Sequence, residues 1–311
     1  MKNPEIEIVG VTVTGCGETN LRWGTLIAQT LLEVGCQTQA KIAIGTSMPL
    51  WEPTHKHVFP QTFKNDNNDL MGLLGSLNPE ITINIDPRPA WQFIAETLDK
   101  SQEPITILAL GGFTNLAKML TLYPNTDVQN IQEVFAMAGA VWVDGNLASI
   151  NDAKEEWGQG LVYSTNRHAE WNIFVDPLAA KIVFDSEIPL TLVPMDACLY
   201  VTLDPDQVAT ITATDTLAQL AKNIMLKKTG DHSESIHPVP IFDPLATVIM
   251  AGGLINYQTH TEYLDVDLVE TETDNQCGKV KVMGTGSRRI TVVQGVSATG
   301  FAAGFTEVLN S

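Results

Sequence analysis

An open, mostly parallel β-sheet with helices on both faces is the fold class this sequence predicts, and three observations predict it. Short apolar, β-branched runs alternate with helix-length amphipathic stretches along most of the chain. The first run, Ile6 to Val13, alternates and then turns wholly apolar, the pattern of an interior strand. With 311 residues, 44% of them hydrophobic, the chain can bury one large core, so a single domain over 1–311 is expected.

The elements follow in order. IEIVGVTV reads as a strand, LRWGTLIAQTLLEVG as a helix and AKIAIG as the next strand. Further on, PITILAL, EVFAMAG and LTLVPMD read as strands, with TNLAKMLTLYP and PLAAKIVFDS as helices between them. The tail from Tyr263 gives β-hairpin strands (YLDVDLV, KVKVMG, RRITVVQG) and a closing helix from Ala298. Three polar stretches break this rhythm: Trp51 to Pro79, Asn146 to Arg167 and Gly230 to Pro240. Loops of that length inside a compact domain are usually functional or disordered. In such a sheet, ligands gather at the C-terminal ends of the strands.

Composition narrows the partners. Eighteen Lys plus Arg against 36 Asp plus Glu give a formal charge of −18, a field that repels nucleic acid backbones and anionic membranes. The four cysteines, Cys16, Cys36, Cys198 and Cys277, form no CxxC pair, so neither a zinc site nor a disulfide framework is indicated. No run approaches the roughly 20 apolar residues of a membrane span, and no signal pattern opens the chain; the expected compartment is the cytoplasm. A phosphate-binding GxxxxGK[ST], a GxSxG elbow and a dinucleotide-binding GxGxxG are all missing.

Four stretches carry candidate chemistry. In LALGGFTNLAK, Leu108 to Lys118, a strand runs through Gly111 and Gly112 into a helix beginning near Thr114, an arrangement that an ordinary strand-to-helix turn also explains. FAMAGAVWVDGN, Phe135 to Asn146, is a second strand leaving through small residues into a polar loop. In HAEWNIFVDPLAAKIVF, Glu170 and Asn172 stand two apart and share a face if extended. A carboxylate beside an amide suits a vicinal diol. Asp176, followed by Pro177, reads as a helix cap. In HPVPIFDPLATVIMAG, Asp243 opens an apolar helix, where a cap is an equally good reading.

Taken in chain order, VTVTGCGE, LGGFTN, AMAGA with its GN, AEWNIFVDP and FDPLA resemble the inosine-uridine preferring nucleoside hydrolase family. The resemblance runs from Pro4 to about Leu309, and AEWNIFVDP is its most specific piece. It implies an open, Rossmann-like sheet, one calcium ion at the base of the crevice, and hydrolysis of the N-glycosidic bond of ribonucleosides. It also implies residue roles. The Leu110 carbonyl and Asp243 fall on metal-ligand positions, and hard oxygen donors of this mixed origin suit calcium. Glu170, Asn172 and Asn146 fall on ribose-binding positions, with Met137 nearby. Members commonly assemble as homo-oligomers, so the expected partners are a small ribonucleoside and further copies of the chain.

Departures from the pattern matter as much. The family's Asp-x-Asp-x-x-x-Asp-Asp motif, which holds most of the metal and supplies the general base, belongs on a strand before IEIVGVTV. The expectation is therefore a domain shortened at its N-terminus, with the general base encoded upstream of Met1. Glu18 stands in Gly15-Cys16-Gly17-Glu18, where many members carry an asparagine, so it is expected to replace an amide ligand at the substrate site. Phe242 stands where many carry a histidine implicated in protonating the leaving base, which leaves His237 or His232 as candidate acids. Three readings follow: a calcium-dependent nucleoside hydrolase whose chain continues upstream of Met1, a non-catalytic ribose-binding or partner-binding relative that starts there, and a hydrolase of another ribosylated compound. Loss of the central strand also predicts unpaired backbone on its two neighbours, at about 1 to 3 kcal/mol for each buried group.

Overall fold

The computed structural model describes residues 3–17, 19–51, 85–147, 166–230, 239–270 and 275–310. Met1, Glu18, His232, His237, most of the Trp51 to Pro79 stretch and the polar insertion from 148 to 165 lie outside them. The candidate acid His237 and the general base expected upstream of Met1 thus both fall outside the described residues.

Within these limits the alternation of strands and helices is as expected, but the strands fall into separate sheets. A three-stranded parallel sheet comprises β1 (Gly10–Val13), β2 (Lys41–Ile44) and β3 (Ile85–Asp86) in that order. Helix α1 (Leu21–Val34) crosses from β1 to β2, capped by the Asn20 side chain, which accepts from the Trp23 N–H. Such a cap satisfies one of the orphan donors of the first turn.

The larger sheet holds six strands. Its elements are β4 (Ile105–Ala109), β5 (Ile131–Ala136), β6 (Leu190–Leu192), β9 (Gln258–Val266), β10 (Val280–Met283) and β11 (Ile290–Gln294), ordered β10-β9-β11-β6-β5-β4. The tail is therefore more than a terminal hairpin region: β11 runs parallel beside β6 and continues the main sheet. Two very short strands, β7 (Thr202–Leu203) and β8 (Val239–Pro240), pair antiparallel nearby.

Helices α2 (Ala90–Lys100), α3 (Thr114–Leu122) and α5 (Pro177–Asp185) pack with the larger sheet around a core that includes Phe113, Met119, Val134, Phe184, Leu192 and Ile290. A second cluster joins Val193, just after β6, to Cys198, Leu245 and Phe301 of α6 (Met195–Cys198), α9 (Asp243–Ala251) and α10 (Ala298–Asn310). Between β7 and β8 the chain makes α7 (Pro205–Ala209) and α8 (Thr216–Gly230).

The interior strand expected at Ile6 to Val13 is realised only from Gly10, and among the described residues it is an edge. Among the described residues, β1 pairs with β2 alone and β4 with β5 alone. Both edges stay half-exposed along most of their length, with Val9 at 43% and Thr106 exposed. The two sheets meet at their C-terminal ends, where the Asn115 amide donates from Nδ2 to the Val13 carbonyl at 3.3 Å. At the opposite ends they part around an open groove of about 310 Å³, lined by Val9, Arg88, Glu96, Thr97, Lys100, Ser101 and Ile105.

Candidate active site

Strand β4 ends in the predicted double-glycine turn, and α3 starts at Thr114 with Phe113 as its cap residue. Two hydrogen bonds tie this helix start to its surroundings. The Thr114 hydroxyl donates to Asp176 Oδ2 at 2.6 Å, and the same oxygen accepts from the Leu50 N–H at 2.8 Å. Asp176 Oδ1 accepts from the Ala179 N–H, so Asp176 is the cap of α5 as expected and a junction between three segments as well. Burial pushes its carboxyl above the ordinary aspartate range, against those hydrogen bonds.

Beside this turn, β5 delivers Met137. Its carbonyl accepts from Asn172 Nδ2 at 2.8 Å, and its sulfur lies 3.5 Å from the same nitrogen. Glu170 and Asn172 do come together, but not as neighbours on an extended strand. Glu170 is the cap of a one-turn helix, α4 (Trp171–Phe174), and Asn172 sits inside it. The cap geometry folds the carboxylate back onto the turn, where Oε1 accepts from the Asn172 N–H at 2.9 Å and Oε2 from the Ile173 N–H at 3.3 Å. Oε2 also accepts from the Gly139 N–H at 2.8 Å, across 31 residues of sequence.

Glu170 is 1% exposed, and its carboxyl is pushed up to about 7. Desolvation is the main cause, the backbone hydrogen bonds oppose it, and the charge of Asp243 adds to it. A carboxylate has about four acceptor positions. Three are filled by backbone amides, which leaves about one for a ligand hydroxyl.

Asn146 belongs to the same assembly: its Oδ1 accepts from the Trp171 N–H at 2.9 Å. The preceding residue must be glycine, because a Cβ on Gly145 would lie 1.9 Å from the Ala169 carbonyl oxygen. Asn166, the other asparagine flanking the insertion, is committed elsewhere. Its Nδ2 donates to the Cys277 carbonyl and its Oδ1 accepts from His168 and Ala169, which closes the loop base.

Asp243 is the first residue inside α9; the cap position falls to Phe242, which makes no side-chain capping bond. The Asp243 charge acts on both Glu170 and buried Cys198, so α9 points its first turn at the same crevice. Cys198 is pushed far above the ordinary thiol range by burial and by Glu170, Asp243 and Asp196, and is inert as a nucleophile at neutral pH. Phe242 packs against the second core cluster and has no proton to give.

Sequence reasoning passed over Asp196. It lies buried in α6, where Oδ2 accepts from the Val141 N–H at 2.9 Å and Oδ1 from the Trp142 N–H at 2.8 Å. The acidic residue in the Val-Pro-Met-Asp run was its only trace in the sequence.

The described residues supply part of the donor set that calcium would need. The carboxylate of Asp243 and the carbonyl of Leu110, whose side chain is exposed, are the two implied ligands that the described residues supply. No three His, Cys, Asp or Glu side chains among the described residues converge as a metal cluster. Calcium takes six to eight oxygens. The described donor set alone does not fit the ion.

Comparison with known proteins gives a consistent pattern. The sequence profile of the inosine-uridine preferring nucleoside hydrolases matches residues 1–303, so the match opens at Met1, ahead of the Pro4 where the motif resemblance begins. The pyrimidine-specific ribonucleoside hydrolase RihB of Escherichia coli is 27% identical over 274 residues, covering 86% of this chain and 77% of the relative. An uncharacterised protein of Schizosaccharomyces pombe is 26% identical over 275 residues, covering 84% and 78%. Among solved structures, the plant nucleoside hydrolase PpNRh1 superposes with a TM-score of 0.75 at 18% identity, over 100% of this chain and 92% of that one. An inosine-uridine preferring nucleoside hydrolase from Bacillus anthracis gives 0.73 at 18% identity, over 99% and 92%.

Proposed function

Since the chain belongs to the inosine-uridine preferring nucleoside hydrolase family, we propose that it binds a ribonucleoside at the C-terminal ends of β4 and β5 and hydrolyses the N-glycosidic bond, releasing free base and ribose. The observation that carries this reading is the pairing of Glu170 with Asn172. Asn172 commits its donor end to the Met137 carbonyl, so it offers a ligand its Oδ1 acceptor. Glu170 offers a carboxylate oxygen. Two adjacent acceptors call for two adjacent donors, which is what the 2′- and 3′-hydroxyls of a ribose supply.

Holding the diol fixes the sugar ring, and that is where these residues act on the reaction. An ionised Glu170 accepts a hydroxyl proton and places negative charge beside a ring that becomes cation-like as the bond to the base lengthens. In the family pattern a calcium ion lowers the pKa of the attacking water. Of the donors described here, Asp243 and the Leu110 carbonyl would face it, and they are too few to hold it. Protonation of the departing base cannot come from Phe242; His237 remains the candidate on the preceding loop.

The test is a reducing-sugar assay on the chain with inosine, uridine, adenosine, cytidine and nicotinamide riboside, with and without calcium. Ribose release that disappears in Glu170→Ala is the expected result. One observation favours a second reading, a riboside-binding protein without turnover: the carboxylates of Glu170 and Asp196 are both engaged with backbone amides. Binding of ribosides by calorimetry with every nucleoside left intact would establish that alternative. Absence of both binding and turnover would remove the ribose site itself.

A further inference from the structure

We propose that Asp196 is a positioning residue for the diol-binding pair, acting through the segment that leaves β5. This rests on reading Glu170 and Asn172 as the ribose site.

The segment from Met137 to Trp142 is gripped from two sides. On one side Glu170 takes the Gly139 N–H and Asn172 donates to the Met137 carbonyl. On the other, α6 donates the Met195 N–H to the Gly139 carbonyl at 2.8 Å, and Asp196 accepts from the consecutive amides of Val141 and Trp142. Gly139 is the pivot, with a φ of 89° that most residues disfavour; its N–H and carbonyl serve opposite partners. Asp196 is 6% exposed, and each of its oxygens holds a backbone amide. A buried acceptor of that kind fixes backbone position far better than an exposed contact does. Through three residues of chain it sets where the Gly139 N–H meets Glu170, and so where the last carboxylate lone pair points.

Asp196→Asn tests this in the full chain. Asparagine keeps the shape but must turn an NH₂ toward one of the two amides, which pushes the segment away. The probes are inosine and 2′-deoxyinosine, compared by calorimetric affinity and, where turnover is present, by kcat/KM. The expected result is a loss of about tenfold for inosine and less than about twofold for the deoxy compound, equivalent to misplacing one buried hydrogen bond. A purely structural role would weaken both probes equally, and that outcome overturns the proposal. A wild-type chain that does not distinguish the two probes removes the ribose-site reading and this inference with it. A wild-type chain that distinguishes them, with Asp196→Asn preserving the distinction, overturns the inference alone.

If the variant does not fold, hydrogen exchange on the wild-type chain decides. Inosine is expected to slow the Gly139, Val141 and Trp142 amides together. Slowing at Gly139 without its two neighbours would show that Asp196 is uncoupled from the site.

Discussion

The two larger sheets among the described residues are built from similar sequence and behave differently. IEIVGVTV and PITILAL are both apolar, β-branched runs, yet among the described residues neither becomes the interior strand its composition suits. In the six-stranded sheet β4 closes one edge, but β5 and β6 behind it are buried in the largest core cluster. In the three-stranded sheet β1 rests on a small cluster of Val13, Leu32, Ala40 and Ile42 with a few half-buried neighbours. Whether a strand is interior depends on what pairs with it, and no run carries that information alone. The larger sheet carries the candidate site; the smaller contributes the Val13 carbonyl on Asn115, and the segment after β2 the Leu50 N–H on Asp176.

Breaking the site within the larger sheet should have the largest effect. Gly145→Ala places a Cβ against the Ala169 carbonyl, and backbone cannot yield as a flexible side chain does. The expected outcome is loss of riboside binding in calorimetry and a drop of about 3 kcal/mol in denaturant unfolding. Unchanged affinity would mean that Asn146 does not depend on this approach.

Next in size is a pH effect centred on Glu170. Its native value of about 7 lies above its ordinary 4.5, so the folded chain keeps a proton that the unfolded chain has released. Stability from this group is greatest below about pH 4.5 and falls as pH rises to about 7, by up to about 3 kcal/mol. Glu170→Gln should flatten that part of the stability profile, even if its overall level drops. Riboside affinity should move the opposite way and rise as Glu170 ionises, which calorimetry between pH 5 and 8 can follow.

The junction between the sheets gives smaller effects and sharpens the comparison. A Cβ on Gly45 would sit 2.2 Å from Asn115 Oδ1 and 2.5 Å from the Val13 carbonyl oxygen. Gly45→Ala is therefore expected to cost about 2 kcal/mol. Exchange of the β1 and β2 amides should quicken before that of β5 and β6, since the smaller sheet has little core of its own. Equal acceleration in both would mean the two sheets unfold as one unit.

Asn115→Ala should be the mildest change. Asn115 Oδ1 is already buried without a hydrogen-bond partner among the described residues, and its Nδ2 makes one long bond there. Removing both leaves a cost of about 1 kcal/mol or less. In the double variant with Gly45→Ala, the shared clash disappears and the combined loss should be less than the sum, which a double-mutant cycle measures.

The kind and order of the elements are legible in the residues alone, because periodicity and caps are local. Thr114 as the start of a helix after two glycines, Asp176 as a cap and the strands of the tail all follow from neighbours within a few residues. Order along the chain also carries the family resemblance. The remainder comes from bonds between distant segments, which only folding brings within reach. Glu170 reaches Gly139 across 31 residues, and Asp196 reaches Trp142 across 54. Read as extended chain, Glu170 and Asn172 are side-by-side neighbours, and only the cap on α4 turns one onto the other. The separation of β1 from β4 is likewise beyond local reading, because a strand's pattern records its burial tendency while its partners are set by the whole sheet.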